Sequence, residues 1–275
     1  MRKFIDRVLR YLGRHFHGPV QYVPVMIPVL KGEFLKGRRA LVTGGSSGIG
    51  RAIAKSYLDN GASVIITGRN AKKLNEAKNS LGACGSVDFL VLDNSRPETF
   101  AAEIEKVGDF DILVNNAGYV GGGGFGSTEI SEYDKVLETN LRGTYFMSQV
   151  VSNAWIKRNI KGNILNICSA SSLRPGESPY ILSKWGLRSL TIGMAKKLIP
   201  HGIVVNGLAP GCADTPQFCA NPQESINNLR NPTGRLVTVE EIGNMAVVMV
   251  SSLARMVVGD VVYVTGGGAI TTYDD

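Results

Sequence analysis

A tyrosine and a lysine four positions apart could carry acid–base chemistry in this chain. Tyr180 and Lys184 lie in a segment with helical periodicity, and a spacing of four places both side chains on one face of a helix. An ammonium beside a phenol stabilises the phenolate, so the pair could give a proton to a carbonyl oxygen or accept one from an alcohol. For the pair taken alone, a surface Tyr–Lys pair without a function is the alternative.

A glycine-rich turn near the start of the chain could bind an anion. The segment Thr43–Gly50 lies between an apolar run and a stretch in which Ile49, Ile53 and Tyr57 recur at helical spacing. A strand that enters a helix through such a turn leaves backbone N–H groups at the helix N-terminus available to a phosphate. The spacing differs from the G-x-G-x-x-G fingerprint, and a purely structural turn is the alternative interpretation.

The elements that must position these residues alternate along the chain. Apolar, β-branched runs predict seven strands, and helical periodicity is found in the segments between them. The predicted strands are 39–43, 63–67, 87–92, 112–115, 163–168, 203–208 and 261–265. The predicted helices include 70–81, 97–107, 132–157, 179–199 and 239–253. This pattern is typical of a single α/β domain of the Rossmann type, a doubly wound parallel sheet with helices on both faces.

The charge distribution separates an N-terminal extension from the rest of the chain. The first 39 residues contain nine basic and two acidic side chains, so the whole net charge of +7 lies there and the remainder is neutral. A neutral body gives no indication of nucleic-acid binding. The four cysteines lack metal-ligand spacing and the three histidines are scattered, so we expect no metal site. Free thiols in a reducing cytoplasm are expected, with a disulfide as the alternative.

Taken together, the chain resembles the short-chain dehydrogenase/reductase family over roughly residues 37–275. The residues that carry the resemblance are Thr43–Gly50, Asn115–Gly118, Asn140, Ser169, Tyr180 with Lys184, Asn206, Pro210-Gly211 and Thr215. Thr265 stands where the family commonly has Asp, and the segment between Ser169 and Tyr180 is shorter than is usual in the family. Ser171 and Ser172 therefore remain alternatives to Ser169.

The resemblance implies an NAD(P)(H)-dependent oxidoreductase with four catalytic residues. Tyr180 would be the acid or base, and Ser169 would bind the substrate oxygen. Lys184 would also reach the ribose hydroxyls, and Asn140 would anchor a relay water. The residues expected to bind the cofactor are Gly44, Ser46, Ser47, Gly48, Ile49, Gly50, Arg69, Asp93, Asn94, Asn116, Ala117, Gly118, Tyr180, Lys184, Pro210, Gly211 and Thr215.

The end of the second predicted strand indicates which nicotinamide cofactor is used. An acidic residue there would bind the ribose 2′-hydroxyl of NAD, whereas an arginine suits the 2′-phosphate of NADP. The sequence has Gly68 followed by Arg69, so we expect NADP(H), with NAD(H) as the alternative. Arg51 is either a second contact or a solvated helix residue. Asp93 resembles the residue that meets the adenine, and the alternative is a turn-forming Asp before Asn94.

We therefore expect an enzyme that reduces a carbonyl to a secondary alcohol with NADPH. The alternatives are an NAD(P)-dependent sugar, polyol or hydroxysteroid dehydrogenase, and a non-catalytic dinucleotide-binding sensor or scaffold. Segments 119–126, 173–177 and 212–231 would wall the substrate pocket, the last as a mobile lid. They do not select among the 3-oxoacyl thioesters, sugars, polyols, steroids and small ketones that the family accepts. The resemblance also implies a homodimer or homotetramer paired through helices 132–157 and 179–199.

The extension, residues 1–36, is not explained by the resemblance. On a helix, the apolar side chains of residues 1–18 fall on one side and most of the basic ones on the other. Such a helix can lie on an anionic membrane. Residues 20–30 are apolar but too short to span a bilayer, and charges run through the segment where a signal peptide needs an apolar core. We expect a cytoplasmic enzyme held peripherally at the membrane; packing of the helix on the body or across an oligomer interface is the alternative.

Overall fold

A computed structural model describes residues 32–215 and 231–268, which contain a single seven-stranded sheet. Every neighbouring pair is parallel, and the strand order is β3-β2-β1-β4-β5-β6-β7. The strands are β1 (Arg39–Thr43), β2 (Ser63–Gly68), β3 (Val87–Val91), β4 (Ile112–Asn115), β5 (Asn163–Ile167), β6 (Val204–Pro210) and β7 (Val261–Val264). The predicted doubly wound α/β fold is confirmed.

Helices cover both faces of the sheet because the side chains of each strand alternate between the faces. The helices are α1 (Gly48–Leu58), α2 (Ala71–Leu81), α3 (Phe100–Glu105), α4 (Ile130–Leu137), α5 (Gly143–Arg158), α6 (Pro179–Leu198) and α7 (Val239–Val250). On β1, Val42 belongs to the core shared with α1, α2 and α7, whereas Leu41 belongs to the core shared with α3, α5 and α6. Both are fully buried, and each burial stabilises the fold by about 1.5–3 kcal/mol.

One predicted helix, 132–157, is wrong as a continuous α-helix. The structure has α4, then a π-helical segment Glu138–Arg142, then α5. The Nδ2 of Asn94 donates a hydrogen bond of 2.6 Å to the carbonyl of Thr139 inside this segment. The carbonyl of Asn94 would also lie 2.0 Å from a Cβ at Gly143, so the chain after β3 packs directly on the break. A π-helical turn inside a longer helix is often found at a functional site, and Asn140 lies in this one.

The strand order reverses between β1 and β4, and this point defines the crevice in which doubly wound sheets bind ligands. The carboxyl ends of β1, β4 and β5 all open on it. Helix α6 begins beside this edge, with Ser178 as its N-cap, accepting a hydrogen bond from the Ile181 N–H, and Pro179 in the first turn.

The described chain already packs on the core before β1. Leu35 is fully buried and its N–H donates to the carbonyl of Asn60 (2.9 Å), so packing starts just before the predicted boundary at residue 36. Residues 1–18, predicted as a basic amphipathic helix, lie outside the described part. Within 32–215 and 231–268, no helix has the length and apolar character needed to cross a bilayer.

Candidate active site

The glycine loop after β1 leaves no room for side chains at two of its positions. Gly44 has φ +66°, and a Cβ there would lie 3.0 Å from the Cα of Ala117. A Cβ at Gly50 would lie 2.4 Å from both the Gly44 carbonyl oxygen and the Nδ2 of Asn116. Glycine is required at both positions because the loop backbone packs directly on the chain that follows β4.

Hydrogen bonds tie the ends of β1 and β4 together across the crevice. The hydroxyl of Thr43 accepts from the N–H groups of Asn116 (2.9 Å) and Ala117 (3.0 Å) and donates to the carbonyl of Val114 (3.2 Å). The Nδ2 of Asn116 donates to the carbonyls of Thr43 (2.9 Å) and Gly44 (3.2 Å). Asn116 and Ala117, predicted to bind the cofactor, thus also shape the glycine loop. Thr43, the first residue of the glycine motif, is the functional residue missing from the predicted set.

The start of α1 fits the pyrophosphate of a dinucleotide. Ser47 occupies the N-cap position without a side-chain capping hydrogen bond, and the first turn carries no acidic side chain. The N–H groups of this turn, at the positive end of the helix dipole, are therefore available to an anion. Thr215 provides an independent observation: its buried hydroxyl has no partner in the described part of the chain. Its methyl lies 3.6 Å from where a Cβ at Gly48 would be, so this hydroxyl lies beside the loop.

Arg69, predicted to bind the 2′-phosphate of NADP, is available to a ligand. It is exposed directly after β2, and its guanidinium has no hydrogen bond or ion pair with the residues that the structure describes. The hydroxyl of Ser46 lies 3.8 Å from a Cβ position at Gly68, so the glycine loop approaches this end of β2. Arg51 is different, because its guanidinium donates to the hydroxyl of Ser80 (2.7 Å) on α2.

Asp93 and Asn94 both make contacts within the fold. The Asp93 carboxylate accepts from the N–H (3.0 Å) and the hydroxyl (2.8 Å) of Ser95, the geometry of the turn-forming alternative. Asn94 is buried, and its side chain holds the carbonyl of Thr139. Their predicted cofactor contacts stay predictions.

Lys184 is buried beside Tyr180 at the end of β5. Its Nζ donates to the carbonyl of Ile167 (2.9 Å) and lies 5.7 Å from the centroid of the Tyr180 ring. Only 6% of Lys184 is exposed, whereas Tyr180 is half-buried. An ammonium has three donors, so two N–H groups remain for a phenol and a ligand hydroxyl. The predicted spacing of four on one helix is confirmed, since both residues lie on α6.

Asn140 is buried and its side chain is fully hydrogen-bonded. Its Oδ1 accepts from the N–H of Tyr119 (2.7 Å), and its Nδ2 donates to the Tyr119 carbonyl (2.9 Å) and the Ser183 hydroxyl (3.1 Å). These bonds connect the π-helical segment to the chain after β4 and to α6. Because the side chain is occupied, a relay water at Asn140 would have to bind its backbone. A Cβ at Gly118 would lie 3.9 Å from the Lys184 Nζ, so all these groups converge.

Ser169 and Ser172 differ in whether their hydroxyl groups are available to a substrate. Ser169 follows β5, is half-buried, and its hydroxyl oxygen accepts from the N–H of Ser171 (3.1 Å), which leaves the hydroxyl proton for another acceptor. Ser172 is fully buried, and its hydroxyl donates to the Ser169 carbonyl (2.7 Å) and contacts the Tyr263 hydroxyl (3.1 Å). These contacts favour Ser169 over Ser172 as the residue that meets a substrate.

Buried polar side chains connect β4 and β5 to the helices α5 and α6 next to the site. The Nδ2 of Asn115 donates to the Ser148 hydroxyl and to the Asn166 Oδ1, both at 2.9 Å. The Nδ2 of Asn166 in turn donates to the Thr191 hydroxyl (2.9 Å) on α6. Burial raises the pKa of the neighbouring Cys168 thiol to about 11, so this cysteine is a neutral packing residue and no nucleophile.

The end of β6 closes the far side of the crevice. The N–H of Gly211 donates to the Val264 carbonyl (2.9 Å), and a Cβ at Gly211 would lie 3.0 Å from the Cα of Thr265. Pro210 is buried at the end of this strand. The predicted lid, 212–231, falls mostly outside the described residues.

Comparisons with known proteins agree with this geometry. A family model described as short chain dehydrogenase matches residues 38–225. Gluconate 5-dehydrogenase of Gluconobacter oxydans is 37% identical over 244 residues, which cover 85% of this chain and 95% of that protein. A 3-oxoacyl-[acyl-carrier-protein] reductase of Aquifex aeolicus is 34% identical over 243 residues, which cover 85% of this chain and 98% of that protein.

A solved structure also resembles the chain. The crystal structure of a gluconate 5-dehydrogenase from Burkholderia cenocepacia, in complex with NADP and tartrate, gives a TM-score of 0.80 at 32% identity. The match covers 87% of this chain and 98% of that one.

Proposed function

The chain belongs to the short-chain dehydrogenase/reductase family of NAD(P)-dependent oxidoreductases, and we propose that it reduces a ketone to a secondary alcohol with NADPH. The observation that carries the proposal is the position of the Lys184 ammonium, which lies beside the Tyr180 ring and is held by the Ile167 carbonyl at the end of β5. Ser169 follows this strand end directly, and a Cβ at Gly118 would lie 3.9 Å from the ammonium. Asn140 joins them through its contacts with Tyr119 and Ser183. An acid, a cation and a hydroxyl donor are the groups that carbonyl reduction needs around one oxygen.

Each of these residues has a distinct part in the proposed reaction. When bound, the nicotinamide would supply the hydride that the carbonyl carbon accepts. Tyr180 gives its phenolic proton to the oxygen as negative charge develops there, and Ser169 donates a hydrogen bond that fixes the same oxygen. The Lys184 ammonium, held by the Ile167 carbonyl, stabilises the phenolate that remains. Asn140 holds the chain after β4 against α6, and a water bound to its backbone would pass a proton back to the Tyr180 phenolate.

Two alternatives remain distinguishable by experiment. A sugar, polyol or hydroxysteroid dehydrogenase would use the same residues in the direction of alcohol oxidation. A dinucleotide-binding sensor would bind NADPH without turnover. Initial rates of NADPH oxidation with ketones and of NADP⁺ reduction with the corresponding alcohols separate the three. We expect the ketone direction to be faster at neutral pH, and faster oxidation of a polyol would favour the dehydrogenase.

Cofactor selection is expected to depend on Arg69. Replacing Arg69 with alanine should weaken NADPH binding by about 1–3 kcal/mol, since a charged hydrogen bond to the 2′-phosphate is lost, and should hardly change NADH binding. Dissociation constants from NADPH and NADH fluorescence measure this. Arg51→Ala is the matched control, because its guanidinium already donates to Ser80 and should affect neither cofactor. An equal loss for both cofactors in Arg69→Ala would place Arg69 away from the phosphate.

We also propose self-association through α5 and α6. Tyr145 on α5 and Trp185 and Ile192 on α6 are large apolar side chains exposed on the surface of the chain. Light scattering at micromolar concentration should give the mass of a dimer or tetramer, and Ile192→Asp should lower that mass. A monomeric mass for the unmodified protein would contradict this proposal.

For the extension we propose a peripheral contact with anionic membranes through residues 1–18. The support comes from the sequence, because these residues lie outside the described part. Each basic side chain near an anionic surface contributes about 1 kcal/mol. Full-length protein should therefore pellet with anionic vesicles more than with neutral ones. A chain beginning at Gly32, which keeps the buried Leu35, should stay in the supernatant. Equal pelleting of the two chains would favour the alternative, in which the helix packs on the protein.

A further inference from the structure

A glycine-rich loop between β4 and α4 holds one phenylalanine almost completely in solvent. Phe125 is 96% exposed, more than any other large apolar side chain in the described residues. Glycines flank it on both sides, at 121–124 and 126. The hydroxyl of Thr128 donates to the carbonyl of Gly124 (2.9 Å), which closes the base of the loop. Phe125 therefore lies at the tip of a turn whose base is closed by a hydrogen bond.

The same loop packs against the start of α6. A Cβ at Gly122 would lie 3.0 Å from the Cγ of Pro179, the residue that precedes Tyr180. Three residues lead from Gly122 to Phe125, which is about 10 Å of extended chain at most. The loop that carries Phe125 is thus anchored next to the residue that precedes Tyr180.

Two further exposed apolar side chains belong to segments that contact the site. Val120, partly exposed, follows Tyr119, whose backbone holds Asn140. Leu173, also partly exposed, ends the turn that begins at Ser169. Both side chains are therefore attached to segments that also place catalytic groups.

Charge is distributed unevenly around this surface. No charged side chain occurs in residues 119–128, and the hydroxyls of Tyr119, Ser127 and Thr128 donate within the protein, to Glu132 and to the carbonyl of Gly124. The charged groups beside the loop contact Tyr119, whose hydroxyl donates to Glu132 (2.9 Å) and whose ring centroid lies 4.1 Å from the Lys135 Nζ. Arg174, directly after Leu173, is exposed. If Arg174 selected the substrate, a keto-sugar acid would be preferred, and this is the competing outcome.

We propose that Phe125, with Val120 and Leu173, determines specificity by covering an apolar chain attached to the reacting carbonyl. This inference rests on the proposed function, which places the carbonyl at Tyr180. Such a surface takes methylene groups out of water, whereas the hydroxyls of a sugar chain would lose water there without gaining partners. The substrate class is accordingly ketones with an unbranched hydrocarbon or acyl chain, in preference to keto sugars.

Rates of NADPH oxidation with four-carbon and eight-carbon 3-oxoacyl thioesters of N-acetylcysteamine test the inference. Each methylene that is fully covered contributes about fourfold to kcat/KM, so the longer substrate should be favoured about tenfold or more. Phe125→Ala should lose most of this ratio through KM while retaining the four-carbon rate, and Phe125→Leu should restore most of it. Ile130→Ala is the matched control, an 80% exposed residue on α4, and should leave the ratio unchanged.

Other results would overturn the inference. These are a preference of the unmodified protein for a keto-sugar acid, or an equal loss for both chain lengths in Phe125→Ala. A lower solution mass for Phe125→Ala would assign the residue to a contact between two copies. Binding of the octanoyl thioester to the NADPH-loaded protein needs no turnover. If no ketone is reduced, the proposed function fails, yet about tenfold weaker octanoyl binding by Phe125→Ala would still support the surface, and unchanged binding would refute it.

Discussion

Replacement of Tyr180 by phenylalanine is expected to lower kcat by about 10²–10⁴-fold while NADPH affinity stays nearly unchanged. The phenol is the proton donor at the substrate oxygen, and the variant removes that proton without removing the ring. Lys184 keeps its hydrogen bond to the Ile167 carbonyl, so its position beside the cofactor site does not depend on the phenol. The loss should therefore appear in the chemical step and leave ground-state cofactor binding intact.

Steady-state rates with the best ketone and NADPH titration by fluorescence measure the two effects separately. Tyr133→Phe is the matched control, because this tyrosine is exposed on α4, away from the residues assigned to the reaction. It should retain the normal rate. A Tyr180→Phe enzyme within a few-fold of the normal rate would remove Tyr180 from the mechanism.

Gly50→Ala is expected to have the second largest effect, a loss of NADPH affinity of roughly 100-fold together with lower stability. The added methyl would lie 2.4 Å from the Gly44 carbonyl and from the Asn116 amide, so one of these groups has to move. Overpacking of this kind costs about 1–3 kcal/mol. Either movement also displaces the start of α1, where we place the pyrophosphate, so cofactor binding and folding should fail together.

Thermal unfolding with and without NADPH measures both consequences of Gly50→Ala. Gly82→Ala is the control, because a Cβ at Gly82 meets nothing within 4 Å and its φ of −57° suits alanine. It should be neutral or stabilise by about 0.4–1 kcal/mol. Normal NADPH stabilisation of Gly50→Ala would contradict the placement of the cofactor at this loop.

Regular elements with a strong apolar pattern were predictable from the sequence. The bounds of β1 and β4 agree with the predicted 39–43 and 112–115, because both are short buried runs. The π-helical break before α5 was not predictable, since the apolar periodicity continues on both sides of it. The break lies where the chain contacts Asn94, more than forty residues earlier. Likewise, the predicted helix 97–107 begins as a 3₁₀ turn, Pro97–Thr99, before α3.

The sequence likewise predicted only part of the site, the side chains and not the groups that hold them. The spacing of Tyr180 and Lys184 predicts a shared helix face without any structure, and the resemblance supplies Asn140 and Ser169. Backbone groups hold these side chains in place. The Ile167 carbonyl accepts from Lys184, and the N–H and carbonyl of Tyr119 bond to Asn140. Side-chain identity carries no signal for such partners, so only the fold reveals them. The preference for Ser169 over Ser172 likewise rests on the burial of the two side chains, which the sequence does not give.

The most direct test of the central claim is NADPH oxidation by the purified protein against a panel of acetoacetyl and longer 3-oxoacyl thioesters, keto sugars and ketosteroids. We predict NADPH consumption with at least one ketone, slower consumption of NADH, and formation of the matching secondary alcohol. Tight NADPH binding with no oxidation by any member of the panel, and no NADP⁺ reduction by the corresponding alcohols, would contradict the account and identify a dinucleotide-binding sensor.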